Sequence, residues 1–169
     1  TLTGGALNLT SGTLAATATA GNISVAQQRT LTISGAFTNA GDGSNLAFAD
    51  ETATGDDLAS TVIYDGTAAQ PVVATTSGSR YANLTVTNTA GAAPGGAIYV
   101  ANDWTLGDAD FDMAANTLFM TDNAATAAYN TDHEVIGRMN RTMGVAGPLT
   151  FNNASTTVAV TAAPASLTD

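Results

Sequence analysis

Asp108, Asp110 and Asp112 alternate within the segment GDADFD, residues 107–112. On a β-strand, alternate residues point to the same face about 6.6 Å apart, so the three carboxylates would form a row. Two neighbours could share one Ca²⁺, which takes oxygen ligands at about 2.3–2.6 Å, but a row of three could not converge on it. The Gly and Glu of an EF-hand loop are also missing. Two interpretations stay open: a solvated acidic face and a weak Ca²⁺ site.

The same carboxylates, together with Asp103 beside Trp104, raise the question of glycoside hydrolysis or polysaccharide cleavage. Some inverting glycosidases hold their two acids about 6.5–9.5 Å apart, a test that any alternating pair of Asp would pass. No apolar setting marks one of these carboxyls for a raised pKa. The sequence therefore predicts no enzyme, and we expect Trp104 in the core or at the edge of a coil rather than as a sugar platform.

His133 and Glu134, followed by Arg138 and Arg141, form the main cluster of mixed charge. One His and no Cys cannot supply the usual ligands of a Zn²⁺ site, and no G-x-S-x-G elbow accompanies a hydrolase triad. We therefore expect a local ion pair that holds a turn or a contact between subunits, and no cofactor other than the Ca²⁺ considered above.

Five Asn residues are followed two positions later by Ser or Thr, which makes them candidate glycosylation sites. They are Asn8, Asn22, Asn83, Asn140 and Asn153. Several such motifs arise by chance in a chain this rich in Thr and Asn. They are candidates for decoration and say nothing about function.

Short segments with alternating Val, Ile, Leu, Thr, Phe or Tyr recur along the whole chain, separated by Gly, Asn, Asp or Pro about every ten residues. This pattern predicts an all-β fold. FDMAANTLFM, residues 111–120, predicts two short strands with a bend between them. For helices the best segments are 56–60 and 123–135, which lack a sustained apolar stripe, so we expect at most one turn in each.

Composition limits the fold and the partners. The 169 residues suit one domain, aromatic residues are 6% of the chain, and charged residues are 11%. The net charge of −10, with four Arg and no Lys, would repel phosphate backbones, so we expect no nucleic-acid partner. The sequence contains no run of about 18 apolar residues, so we expect no transmembrane segment. The absence of Cys says nothing about the compartment.

The repeated strand phrases favour a β-solenoid (parallel β-helix), with a β-sandwich as the alternative. Stacked parallel coils place equivalent residues in columns about 4.8 Å apart. Such columns suit Thr and Asn, which bond to their counterparts, whereas columns of like charge would repel. Low charge and few aromatic residues both agree with a narrow, stacked body.

The phrases GALNLTSGTL, RTLTISGAFTNAGD, SRYANLTVTN and FDMAANTLFM resemble the repeats of large secreted bacterial surface proteins that are adhesin-like or filament-forming. The tail VIGRMNRTMGVAGPLTFNNASTTVAV resembles a segment that often follows such repeats. The resemblance implies a β-helix, an extracellular or cell-surface location and a structural or adhesive role without catalytic residues. GDADFD and the insert at 123–133 depart from the pattern, so we expect an irregular coil there.

The ends of the chain predict self-association. Both ends are strand-like phrases without a capping helix, and an uncovered coil offers unpaired backbone groups to another strand. We expect one all-β domain over residues 1–169, with segments 1–10 and 149–169 joining copies of the chain head to tail into a filament. The alternative is an adhesin stalk or a carbohydrate-binding module for surface glycans, in which acidic loops with Asp42, Asp56 and Asp57 hold Ca²⁺.

Overall fold

The computed structural model describes residues 7–9, 13–16, 23–39, 46–48, 59–122, 125–142, 147–154 and 156–160. These residues form strands and no helix. The strands are β1 (Leu7–Leu9), β2 (Thr13–Ala16), β3 (Ile23–Val25), β4 (Thr30–Ile33), β5 (Ala36–Asn39), β6 (Leu46–Phe48), β7 (Thr61–Tyr64), β8 (Gln70–Val72), β9 (Asn83–Val86), β10 (Ala92–Pro94), β11 (Ile98–Val100), β12 (Asp103–Leu106), β13 (Phe111–Met120), β14 (Thr126–Tyr129), β15 (Val135–Arg141), β16 (Gly147–Thr150) and β17 (Thr157–Val160). In this part of the chain, no helix is long and apolar enough to cross a membrane.

The strands wind into a three-sided parallel β-solenoid, as the repeated phrases predicted. Face A is a parallel sheet in the order β1-β4-β7-β9-β12-β14. Face B contains β2, β5, β8, β10 and the first halves of β13 and β15, and face C contains β11 and the second halves of β13 and β15. Strands β3 and β6 form a separate parallel pair, which follows the face B strands of the first two coils. Register partners in neighbouring coils lie roughly 20 to 30 residues apart in sequence, a solenoid period.

The core is a set of columns that run along the solenoid axis. On face A one column contains Leu31, Val62, Leu84 and Trp104, which are register partners and are all buried. The intervening positions, such as Thr85 and Thr105, point outward, so the strands alternate between apolar and hydroxyl side chains. Each coil adds one residue to a column, and the space between the faces is narrow. Aliphatic side chains can therefore fill most of this core, and few aromatic ones are needed.

A polar column begins the strands of face A. Asn83 Nδ2 donates to Thr61 Oγ1 at 3.4 Å, and the backbone N–H of Asp103 donates to Asn83 Oδ1 at 3.2 Å. Thr126 Oγ1 then donates to Asp103 Oδ1. Hydroxyl, amide and carboxylate side chains thus link four successive coils, and the single carboxylate avoids repulsion between like charges.

A bulge divides β13 as the FDMAANTLFM pattern predicted. The register with β15 shifts between Asp112 and Thr117, and Ala114 adopts the left-handed region at φ 49°. The Asp112 carboxylate accepts the backbone N–H of Ala114 at 2.7 Å. In the next coil Gly137 has φ 115°, a conformation that L side chains rarely adopt. The bend therefore turns the chain from face B to face C in both coils.

Part of the insert at 123–133, where an irregular coil was expected, joins the regular stack. Its residues 126–129 form β14, which pairs in register with β12 from Asp103↔Thr126 to Leu106↔Tyr129. The expectation of at most one helical turn within 123–135 agrees with the described residues, which contain no helix there: at 126–129, backbone pairing to β12 outweighs the modest helix preference of Ala. In the other candidate segment, 56–60, residues 59 and 60 are not helical and residues 56–58 lie outside the described residues.

Candidate functional site

The most unusual part of the solenoid is its last coil, where the chain folds back over its own open edge. Strands β16 and β17 form an antiparallel hairpin, with Thr150 opposite Thr157. The loop that joins them reaches β15, whose only strand partner in the described part of the chain is β13. We call residues 147–160 the terminal hairpin.

Asn152 covers the edge of β15 as a strand would. Its backbone oxygen accepts the N–H of Val135 at 2.7 Å. Its side-chain Nδ2 donates to the carbonyl oxygens of Val135 at 2.7 Å and of Gly137 at 3.0 Å. One Asn thus satisfies three backbone groups that a further coil would otherwise pair with.

Arg141 binds the terminal hairpin at Thr150, the last residue of β16. This largely buried guanidinium donates to the backbone oxygens of Ala125 and Thr150, and it lies 5.9 Å from the ring centre of Phe151. Burial lowers its pKa, because a low-dielectric setting disfavours the charged form. The same setting raises the pKa of Tyr129, whose hydroxyl donates to Met139 Sδ at 3.5 Å. Leu149 is also buried here.

The mixed-charge cluster is divided between the last two coils. His133 Nδ1 lies 3.4 Å from Asp110 Oδ1, which also accepts the backbone N–H of Glu134 at 3.0 Å. Glu134 Oε2 accepts Asn153 Nδ2 at 3.2 Å, while Arg138 donates to the backbone oxygen of Ala115. His133 therefore pairs with Asp110 of the preceding coil and not with a member of its own cluster, and the side chains of Arg138 and Arg141 bond to backbone carbonyls.

The predicted acidic row does not form one straight face. Asp108 precedes β13, Asp110 is occupied by His133 and Glu134, and Asp112 is occupied by Ala114, although all three side chains are exposed. The described residues contain no group of three acidic, His or Cys side chains placed to hold a metal ion. A Ca²⁺ site at these residues stays a prediction. Asp42, Asp56 and Asp57 lie outside the described residues.

A shallow groove of about 590 Å³ runs along face B. Its floor consists of small residues of β8, β10 and the adjoining turns, and Asp110 and Asp112 border it. Pro71 and Ala93 are register partners on this face, and Ile136 on the last coil is 45% exposed. The groove offers an apolar surface with carboxylates at one side.

The aromatic residues divide between the core and face C. Trp104 is fully buried and packs on Phe111 with 5.2 Å between ring centroids, which confirms its predicted core position. Tyr99 and Phe119 are register partners on face C and stack at 4.5 Å with 9° between their planes. Because the rings stack on each other along the axis, their edges face outward. This pair was not predicted, although Tyr99 and Phe119 lie 20 residues apart in the sequence, within the range of a solenoid period.

The structure separates the candidate glycosylation residues. Asn83 is engaged in the polar column, and Asn153 bonds to Glu134 and to the N–H of Thr156. Asn140 is exposed on face C and makes no side-chain hydrogen bond to a described residue. Asn22 lies outside the described residues, and only the backbone of Asn8 is described. Asn140 is thus the most accessible of the three candidates whose side chains are described.

No protein-family model matches the sequence, and no curated protein or solved structure is significantly similar to it. The resemblance to repeats of bacterial surface proteins therefore stays a hypothesis. The functional proposal therefore depends on the fold and on the local contacts described above.

Proposed function

We propose that the chain is a structural subunit of an extracellular filament or cell-surface fibre, in which copies join head to tail through strand edges. The observation that supports this most is the parallel stack itself. Among the described strands, β14 and β15 pair on one side only, with β12 and β13. Edge strands of this kind accept another strand, and a head-to-tail contact that does not close on itself propagates.

The chemistry of the surface fits this role better than a catalytic one. Three exposed carboxylates of the last two coils, those of Asp110, Asp112 and Glu134, are engaged with His133, with backbone N–H groups or with Asn153. The outward positions of face A hold mainly hydroxyl and amide side chains. The net charge of −10 and the lack of Lys would keep neighbouring fibres apart sideways. Cohesion would then come from backbone hydrogen bonds at the ends of each subunit.

Electron microscopy of the purified chain over a range of protein concentrations tests the proposal. We expect unbranched fibres of uniform width, and dispersed single molecules at every concentration would contradict it. Ala127→Pro supplies a directed variant: the N–H groups of Thr126 and Asn130 donate to the carbonyls of Asn102 and Leu106, so by alternation the N–H of Ala127 points away from β12. Proline there removes no bond to β12 but blocks strand addition. Ala128→Pro, which removes a bond to β12, is the control for loss of folding.

A carbohydrate-binding or adhesin role is the second candidate, and the groove on face B favours it. Its small residues would admit a sugar chain, and the carboxylates of Asp110 and Asp112 would accept hydrogen bonds from sugar hydroxyls. A glycan array with the wild-type chain and with Asp112→Asn tests this role. Binding that the variant weakens would support it, and an array without binding would contradict it. Calorimetric titration with Ca²⁺ tests the predicted metal site separately.

A further inference from the structure

We propose that the terminal hairpin is a detachable cap over the surface that binds a second copy of this chain. That surface is the open edge of β15 at Val135 and Gly137. The inference rests on the proposed function. It specifies where one contact between subunits lies, and it assigns to the hairpin the control of access to that contact.

The hydrogen bonds of β15 define which groups the cap covers. The backbone N–H of Phe111 donates to the carbonyl of Glu134 at 2.9 Å, so Glu134 points toward β13. Along a parallel strand alternate residues direct both backbone groups to the same side, so Val135 and Gly137 direct theirs away from β13. These are the residues that Asn152 binds. Asn152 therefore stands where the next coil of a solenoid would stand.

The described bonds between the cap and the last coil are few. They are made by Asn152, Asn153 and Arg141, while β16 also lies against β14 and Leu149 is buried. Two of these hydrogen bonds, from Asn152 to the Gly137 carbonyl and from Asn153 to Glu134, are exposed, so water can replace them at little cost. The β13–β15 contact, in contrast, has six register pairs and buries Val135 against Phe111. Local opening would therefore release the hairpin before any coil.

A second copy of the chain is the occupant that fits the vacated edge. On face A, β4, β7, β9 and β12 are each paired on both sides with parallel strands of the same chain, and β13 is covered by β15 in the same way. A further coil from another copy would continue that interface with the same spacing and the same donors and acceptors. While the hairpin is in place, the edge is unavailable, which would keep single subunits from assembling early.

A reversible lock on the hairpin tests the inference. Glu134, directly before β15, and Asn153 of the hairpin loop form an antiparallel bridge, and the chain has no Cys of its own. The double variant Glu134→Cys/Asn153→Cys would place two thiols within disulfide reach. We expect the oxidised variant to stay monomeric and reduction to restore assembly, both followed by light scattering. An oxidised variant that assembles as fast as the reduced one would overturn the proposal.

The opposite change weakens the cap. Asn152→Ala removes two side-chain bonds to the β15 edge, so we expect a shorter lag before assembly and faster hydrogen exchange at the Val135 amide. Asn140→Ala, an exposed Asn on the same coil, is the matched control and should behave as wild type. If the wild-type chain assembles but neither the lock nor Asn152→Ala changes the rate, only this inference fails. If wild type and Asn152→Ala both stay monomeric, the proposed function fails with it.

Discussion

At the scale of single residues, two tyrosines form a hydrogen-bonded pair within the core. Tyr64 and Tyr81 are fully buried, and their hydroxyls lie 3.0 Å apart. Tyr81 donates to the carbonyl of Val73 at 2.9 Å, and the Val73 N–H donates to the Tyr64 hydroxyl at 3.3 Å. Burial raises the pKa of Tyr64 to about 12 and raises that of Tyr81 well above 10.

These pKa values predict loss of stability in alkali. The unfolded chain releases tyrosine protons near pH 10, whereas the folded chain retains them. The free energy of unfolding should therefore be unaffected by these tyrosines below about pH 10 and fall as the pH rises from about 10 toward 12. Urea unfolding at a series of pH values measures this. Tyr64→Phe/Tyr81→Phe should show a smaller fall, with the remainder from Tyr129, and an equal fall would count against the assignment.

Gly66 lies in a site that has no room for a side chain. A Cβ there would meet Gln70 Cδ at 2.5 Å and the backbone oxygen of Ser34 at 2.8 Å. Gln70 cannot easily move away, because it accepts the Gly66 N–H at 2.8 Å and donates to the Ile33 carbonyl at 2.8 Å. We expect Gly66→Ala to lower the free energy of unfolding by about 1–3 kcal/mol. Gly78→Ala, where a Cβ meets nothing within 4 Å, is the control in the same urea titration and should change little.

At the scale of the strands, the polar column of face A supplies a test of coil-to-coil cohesion. Asn83→Ala removes the bond to Thr61 and leaves the N–H of Asp103 without its side-chain acceptor. The expected loss is about 1–2 kcal/mol in the free energy of unfolding, measured by thermal or urea denaturation. Asn140→Ala should stay within about 0.5 kcal/mol of wild type. Equal effects of the two substitutions would show that the column adds nothing to stability.

Alternation of side chains was enough to predict most strands, because along these strands the inward residues are apolar and most outward ones are polar. The same pattern of side chains was also enough to predict the bend in β13. It was insufficient for β14, since TAAY contains one large apolar residue and its pairing depends on the backbone of β12. The acidic row failed for a related reason: the prediction assumed one continuous strand from 108 to 112, whereas β13 begins at Phe111.

Strand-like character was predicted for the segment 149–169, but the contact of the terminal hairpin with β15 was not. Nothing in the sequence around Asn152 shows that its side chain binds the edge of β15. Arg141 is similar, because a charged residue in a strand is expected to be exposed and this one is buried by the hairpin. Such contacts join segments that follow different patterns, so they emerge only when the chain is folded.

At the scale of the whole molecule, charge should control the rate of assembly. Copies with a net charge of −10 repel one another, and the Debye length falls from about 30 Å at 0.01 M salt to about 3 Å at 1 M. We therefore expect light scattering to rise sooner in high salt than in low salt. Fibres that dissolve when salt is added would indicate contacts made by ion pairs, contrary to cohesion through backbone hydrogen bonds.

The most direct test of head-to-tail stacking is X-ray diffraction from aligned fibres of the purified chain. If coils of successive subunits continue one stack, the strands run across the fibre and a reflection at about 4.8 Å lies on the meridian. A reflection at this spacing on the equator would place the strands along the fibre axis. Either that pattern or the absence of fibres would contradict the account.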